Sequence, residues 1–173
     1  MKRILSIFLL LFLLLSCKKN DNEVNNLLTT EGWSEIDFKG NYTIQIPRDF
    51  VGVGMSGFEG NTFFKSSSDN KIKLSYAYCN SLFCSDFGDS LKSSIPQNMN
   101  IVNNYSKSVT LDHMKCFRRN SDTIGILYYS TNDPVHGRLY WKDKDVFKQA
   151  LELEFNIAKF DTVSTIIETI RSK

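Results

Sequence analysis

An α+β domain, mainly an antiparallel sheet flanked by helices and closed by a C-terminal amphipathic helix, is the fold class that the residue pattern predicts. Three observations carry it. Along residues 71–79, Ile72, Leu74, Tyr76 and Tyr78 alternate with Lys71, Lys73 and Ser75, the period of a strand with one buried face. Leu151, Leu153, Phe155 and Ile157 alternate in the same way with Glu152, Glu154 and Asn156. Val163, Ile166, Ile167 and Ile170 then fall at i, i+3, i+4 and i+7, one apolar stripe of a helix.

The remaining elements follow in chain order. Trp33, Ile36 and Phe38 stand among polar neighbours over residues 31–38 and predict a first strand. Gly40 turns the chain, and Tyr42, Ile44 and Ile46 make a second, half-buried strand stopped by Pro47. Gly52, Gly54 and Gly57 predict a mobile loop, followed by a short strand at 62–65 and polar turn material at 66–70. After the central strand, Phe87, Leu91 and Ile95 recur at helical spacing, and Pro96 ends a helix over 85–95. Strands are expected at 108–118, 122–130 and 138–142. Asn120-Ser121-Asp122 joins the first two as a hairpin, and Asp133-Pro134 with Gly137 sets off the third. The closing strand, 151–157, leads into a helix at 161–171 with Asp161 at the N-cap position. In that helix Thr165 and Glu168 fall opposite the stripe, where solvent is expected.

Two pieces of this pattern carry a family resemblance. Gly40-Asn41-Tyr42-Thr43-Ile44-Gln45-Ile46-Pro47-Arg48-Asp49-Phe50 resembles the opening strand and proline turn of the PsbP/Mog1-like family, and residues 150–171 are similar to its last strand and helix. The resemblance implies an antiparallel sheet with helices on both faces, in a protein of accessory, assembly or binding role. It brings no functional residues to the middle of the chain.

The amino terminus reads as an address. Lys2 and Arg3 precede an apolar run from Ile4 to Leu15, broken only by Ser6 and shorter than the roughly 20 apolar residues of a membrane-spanning helix. Leu14-Leu15-Ser16-Cys17 follows and resembles the lipobox of bacterial lipoproteins, in which cleavage precedes the cysteine and its thiol receives diacylglycerol. The resemblance implies a signal peptide at 1–16 and lipidation of Cys17. Several acyl chains on one residue, at about 0.8 kcal/mol per buried methylene, make attachment effectively permanent. Residues 17–30, rich in Lys, Asn, Asp and Glu, are expected to form a flexible tether to a single domain at 31–173. Lys18 stands where an aspartate would resemble an inner-membrane retention signal, so the outer membrane is favoured. Which side the domain faces is left open.

Charge and cysteine usage narrow the function classes. Without Lys2 and Arg3 the formal net charge falls from +2 to zero. A neutral domain with no basic run lacks what nucleic acid requires. Beyond Cys17 the cysteines are Cys79, Cys84 and Cys116. An envelope compartment permits disulfides, and Cys79 and Cys84, with four residues between them, are expected to form a local clip that leaves Cys116 free.

The motifs that could carry chemistry have plainer explanations. Gly52-Val53-Gly54-Met55-Ser56-Gly57 matches the dinucleotide spacing, but a proline turn precedes it, no helix pattern follows, and residues 71–78 contain no acid. No nucleotide is expected. His113 and His136 are the two histidines, with Asp112 and Asp133 near them in sequence. Alternation along a strand would point Asp112 and His113 to opposite faces. Glu152 and Glu154 share a face as paired catalytic acids would, and equally as the wet face of a strand would. No catalytic residue, metal ligand or cofactor is assigned. The sequence therefore predicts a lipid-anchored envelope protein whose domain binds a protein or other envelope component. The alternative is an envelope hydrolase or metal-dependent protein using His113 or His136.

Overall fold

The computed structural model describes residues 28–38, 41–57, 60–78, 90–91, 95–102 and 108–173. It is a mainly antiparallel β protein with one C-terminal α-helix among the described residues. The strands are β1 (Ser34–Phe38), β2 (Tyr42–Ile46), β3 (Val51–Gly57), β4 (Gly60–Ser66), β5 (Ile72–Tyr78), β6 (Ser90–Leu91), β7 (Met99–Val102), β8 (Ser108–Leu111), β9 (His113–Arg119), β10 (Asp122–Tyr129), β11 (Val135–Asp143), β12 (Val146–Phe155) and β13 (Arg171–Ser172). A 3-10 turn (Ile157–Lys159) runs into helix α1 (Phe160–Glu168).

The large sheet has the order β3-β4-β5-β12-β11-β10-β9, with β6 taking a place beside β12 beyond the end of β5. Every pairing in it is antiparallel. One face carries Leu74, Leu127, Leu139, Leu151, Leu153 and Phe155 and is covered by α1 and the small sheet β1-β2-β13. The helix presents Val163, Ile166 and Ile167, all fully buried, as their spacing predicts. Ile170 is equally buried but lies past the helix, which ends at Glu168, and the last residues of the expected helix 161–171 pass into β13 instead. The other face buries Ile126, Tyr128 and Tyr140 against Ile101 and Leu111 of the β7–β8 hairpin. These are called the helix face and the hairpin face below.

Close packing explains one glycine. A Cβ on Gly125 would lie 2.6 Å from the Trp141 ring, directly across the β10–β11 ladder, so the indole occupies the space any side chain would need. Cross-links tie the layers. Tyr76 donates its hydroxyl to the Asp37 carbonyl at 3.3 Å, joining β5 to the small sheet, and burial beside Asp37 pushes that phenol up to about 12. Gln45 N–H donates to Thr169 Oγ1 at 2.8 Å, joining β2 to the end of the helix.

Several expectations are corrected. The sheet is not flanked by several helices, as the family resemblance implied; a β-hairpin covers the second face. Of the helix expected over 85–95, Ser90 and Leu91 are strand and Ile95 is irregular, and the rest lies outside the described residues. The glycine-rich segment is a strand, not a loop: β3 pairs with β4 from Val51↔Ser66 to Gly57↔Gly60. The expected strand 108–118 breaks at Asp112 into β8 and β9, which lie in different sheets. Asp161 does not cap α1. The cap comes earlier, where Asn156 Oδ1 accepts the Ala158 N–H at 3.0 Å and starts the 3-10 turn that feeds the helix. Thr165 is buried: its hydroxyl donates to the Asp161 carbonyl and accepts the N–H of Leu28.

Candidate functional site

The hairpin face carries an ionic array built by strand register. Glu154 stands across from Lys73 on β5 and His136 on β11, and Glu152 stands across from Ser75 and Arg138. Lys73 Nζ lies 2.6 Å from Glu154 Oε1, and Arg138 Nη2 lies 2.7 Å from Glu152 Oε1. Gln149 adds an amide donor to the same Glu152 oxygen at 3.2 Å. His136 Nδ1 is 3.9 Å from Glu154 Oε2. These side chains are mostly covered, with Arg138 only 9% exposed. Burial works against the Arg138 charge, while the hydrogen bonds it makes to Tyr140 and Glu152 hold its proton more firmly than usual. The wet-face expectation for Glu152 and Glu154 is thereby corrected: both are half-buried and ion-paired.

At one end of this array two clefts meet at Asp133 and Pro134. The larger, of about 440 Å³, is lined by Ser108, Val109, Thr110 and Asp112 on one side and by Thr131, Asn132, Asp133, Pro134 and His136 on the other. The smaller, of about 240 Å³, continues past Asn70, Lys71, Glu154 and Asn156. The loop between β10 and β11 is pinned at its base, where Ser130 N–H donates to the His136 carbonyl and His136 N–H donates to Ser130 Oγ. Its tip is held by Asn156 Nδ2, which donates to Asp133 Oδ2 at 2.9 Å. Across the cleft, Thr110 donates to Asn100 Oδ1 at 2.9 Å.

The two histidines are not brought together. His113, Tyr129 and Gly137 lie in line across β9, β10 and β11, so His113 shares the helix face, where its ring lies 5.5 Å from that of Tyr129. His136, one residue away in register, opens onto the hairpin face. Asp112 does pair with His113, at 2.9 Å, against expectation. It sits in the break between two strands, where alternation no longer governs direction. That hydrogen bond holds the Asp112 carboxyl below its ordinary range. Among the described residues, no group of three His, Cys, Asp or Glu side chains is placed to hold a metal ion.

Cys17, Cys79 and Cys84, the expected lipidation and disulfide residues, lie outside the described residues. Cys116 is disulfide-bonded, which overturns the expectation that it stays free. Lys73, Arg138 and the Thr131–Asn132 loop tip were missed by sequence reasoning. A signal existed for the first two: cations at strand period on β5 and β11 match the acids at strand period on β12. Among the described residues no helix is long and apolar enough to cross a membrane. No known family model matches the chain, and no curated protein is significantly similar to it.

Proposed function

We propose that this chain is a bacterial lipoprotein, cut before Cys17 and held to the outer membrane by lipid on that cysteine, whose domain binds an envelope component without chemistry of its own. The anchor rests on Leu14-Leu15-Ser16-Cys17 behind its apolar run. Eleven residue steps separate Cys17 from Leu28. At full extension they span at most about 40 Å, which keeps the domain close to the bilayer. The observation that carries the binding reading is the polar cleft beside the ionic array. The strongest charges of the array, Lys73 with Glu154 and Arg138 with Glu152, are directed at one another, an arrangement that shapes a wall.

Two measurements test the proposal. Cys17→Ala should abolish acyl labelling and leave the precursor uncleaved; normal labelling of that variant refutes the anchor. A photo-crosslinking residue at Thr131, in the cleft, should capture a defined adduct in living cells, and the same residue at Lys144, on the far β11–β12 turn, should not. Equal capture at both positions refutes the cleft as the binding site. The rival reading, a hydrolase or metal-dependent protein, is supported by one observation, the His136–Glu154 pair at the cleft wall. Under that reading, replacing His113 and His136 together abolishes the phenotype; a binding protein largely keeps it.

A further inference from the structure

Taking the binding reading of the cleft as its basis, we propose that the larger cleft takes a neutral, polyhydroxylated ligand, a saccharide, between the Thr131–Asp133 loop and Thr110–Asp112. The cleft's volume, about 440 Å³, falls in the range of small-molecule sites. Its chemistry selects among ligands. Among its described lining residues there is no lysine or arginine, while Asp112 and Asp133 are present. A phosphate, sulfate or carboxylate ligand would meet two like charges there. Among the described lining residues Val109 and Pro134 are the apolar members, so a lipid or flat aromatic ligand would cover hydroxyls, an amide and carboxylates without satisfying them. A ligand rich in hydroxyls fits, because each hydroxyl donates once and accepts twice. Carboxylates answer its donors, and the Asn132 amide and the threonine hydroxyls answer both roles.

The wall is also held in advance. Asp112 Oδ1 is engaged by His113, and Asp133 Oδ2 by Asn156, each from outside the cleft lining. Asp133 keeps its other carboxylate oxygen for a ligand. Thr110 is fixed by Asn100, and the loop base is closed by the paired bonds between Ser130 and His136. Polar groups fixed before binding lose less freedom on binding, the condition a hydrogen-bonding site needs against competing water.

The test uses the full mature chain, purified in detergent, with cellotetraose, maltotetraose and chitotetraose as probes and tetralysine as the cationic control. Calorimetry should show saturable binding of at least one saccharide, weakened at least ten-fold by Asn132→Ala and by Asp112→Asn and unchanged by Lys144→Ala. Asn132 is exposed on a loop, so its truncation leaves the fold intact. Saccharide binding undiminished by Asn132→Ala overturns the assignment to this cleft. Saturable binding of tetralysine without any saccharide overturns the ligand class while leaving a binding cleft in place. No saturable binding of any probe also overturns the saccharide proposal; the crosslinking at Thr131 then decides separately whether the cleft binds anything.

Discussion

Glu168 shows how a single side chain departs from what helical spacing suggests. It sits on the last turn of α1, opposite the apolar stripe, yet burial raises its carboxyl above the ordinary glutamate range, with Lys115 and Arg171 drawing it partly back. The folded chain therefore binds this proton more tightly than the unfolded chain. Its contribution to stability is present below the ordinary glutamate value and is lost as pH rises through the raised one. Glu168→Gln should accordingly melt higher than the parent near pH ~7, and the advantage should shrink toward pH ~4, where an ordinary glutamate protonates. Thermal melts at both pH values check this; an equal advantage at both would exclude titration as the cause. Residue roles of this kind were poorly legible in the sequence. Asp161 had the right type for a cap, but Asn156 takes the capping role because a 3-10 turn precedes the helix. The Lys73–Glu154 and Arg138–Glu152 pairs needed partners from other strands, 81 and 14 residues away.

Among the elements, α1 was the best predicted, because its period is a local property. Its docking is a matter of packing. Ile166 and Ile167 are fully buried against the sheet, and truncating either to alanine should cost roughly 2–5 kcal/mol. Thr165→Ala should cost about 1 kcal/mol, since its hydroxyl bridges the Leu28 N–H and the Asp161 carbonyl, and Thr165→Ser should restore most of that. Denaturant midpoints order the variants: isoleucine truncations lowest, Thr165→Ala between, Thr165→Ser near the parent. Isoleucine variants that unfold like the parent would show that the helix is not docked. The C-terminal end of α1 is satisfied from two sides, by Arg119 of β9 on the Ile170 carbonyl and by Arg171 on the carbonyls of Glu168 and Ile170. At the sheet's outer edge, β9 carries Lys115, Arg118 and Arg119, charges that discourage pairing with another chain. The other edge, β3, is where local reading failed. A glycine-rich sequence lacks the alternation that marks a strand, and it is one because β4 supplies a ladder from end to end.

At the scale of the whole molecule, the described residues form three layers: helix and small sheet, large sheet, and hairpin. The Cys116 bridge starts from β9 of the large sheet, on its hairpin face, where Cys116 packs with Ile126, Met114 and Leu91. Non-reducing peptide mapping of the full chain should recover Cys116 in a bridged peptide, and reduction should lower the melting temperature, as opening a native bridge typically costs about 2–5 kcal/mol. Quantitative alkylation of Cys116 without reductant would contradict the bridge.

The residue order was enough to place most strands of the described domain, the closing helix and its buried stripe, because periods of 2.0 and 3.6 are written into consecutive residues. It also carries the whole case for a membrane anchor, which depends on the short segment around Cys17. It could not tell what lies over each face of the sheet. Alternation reports that one side of a strand differs from the other. Whether the polar side meets water, an ion pair or a hairpin depends on which distant strands lie beside and above it. Glu154 is the plain case: the same alternation would serve a solvated strand, and only the pairing of β12 with β5 and β11 sets it between Lys73 and His136 at the wall of a cleft.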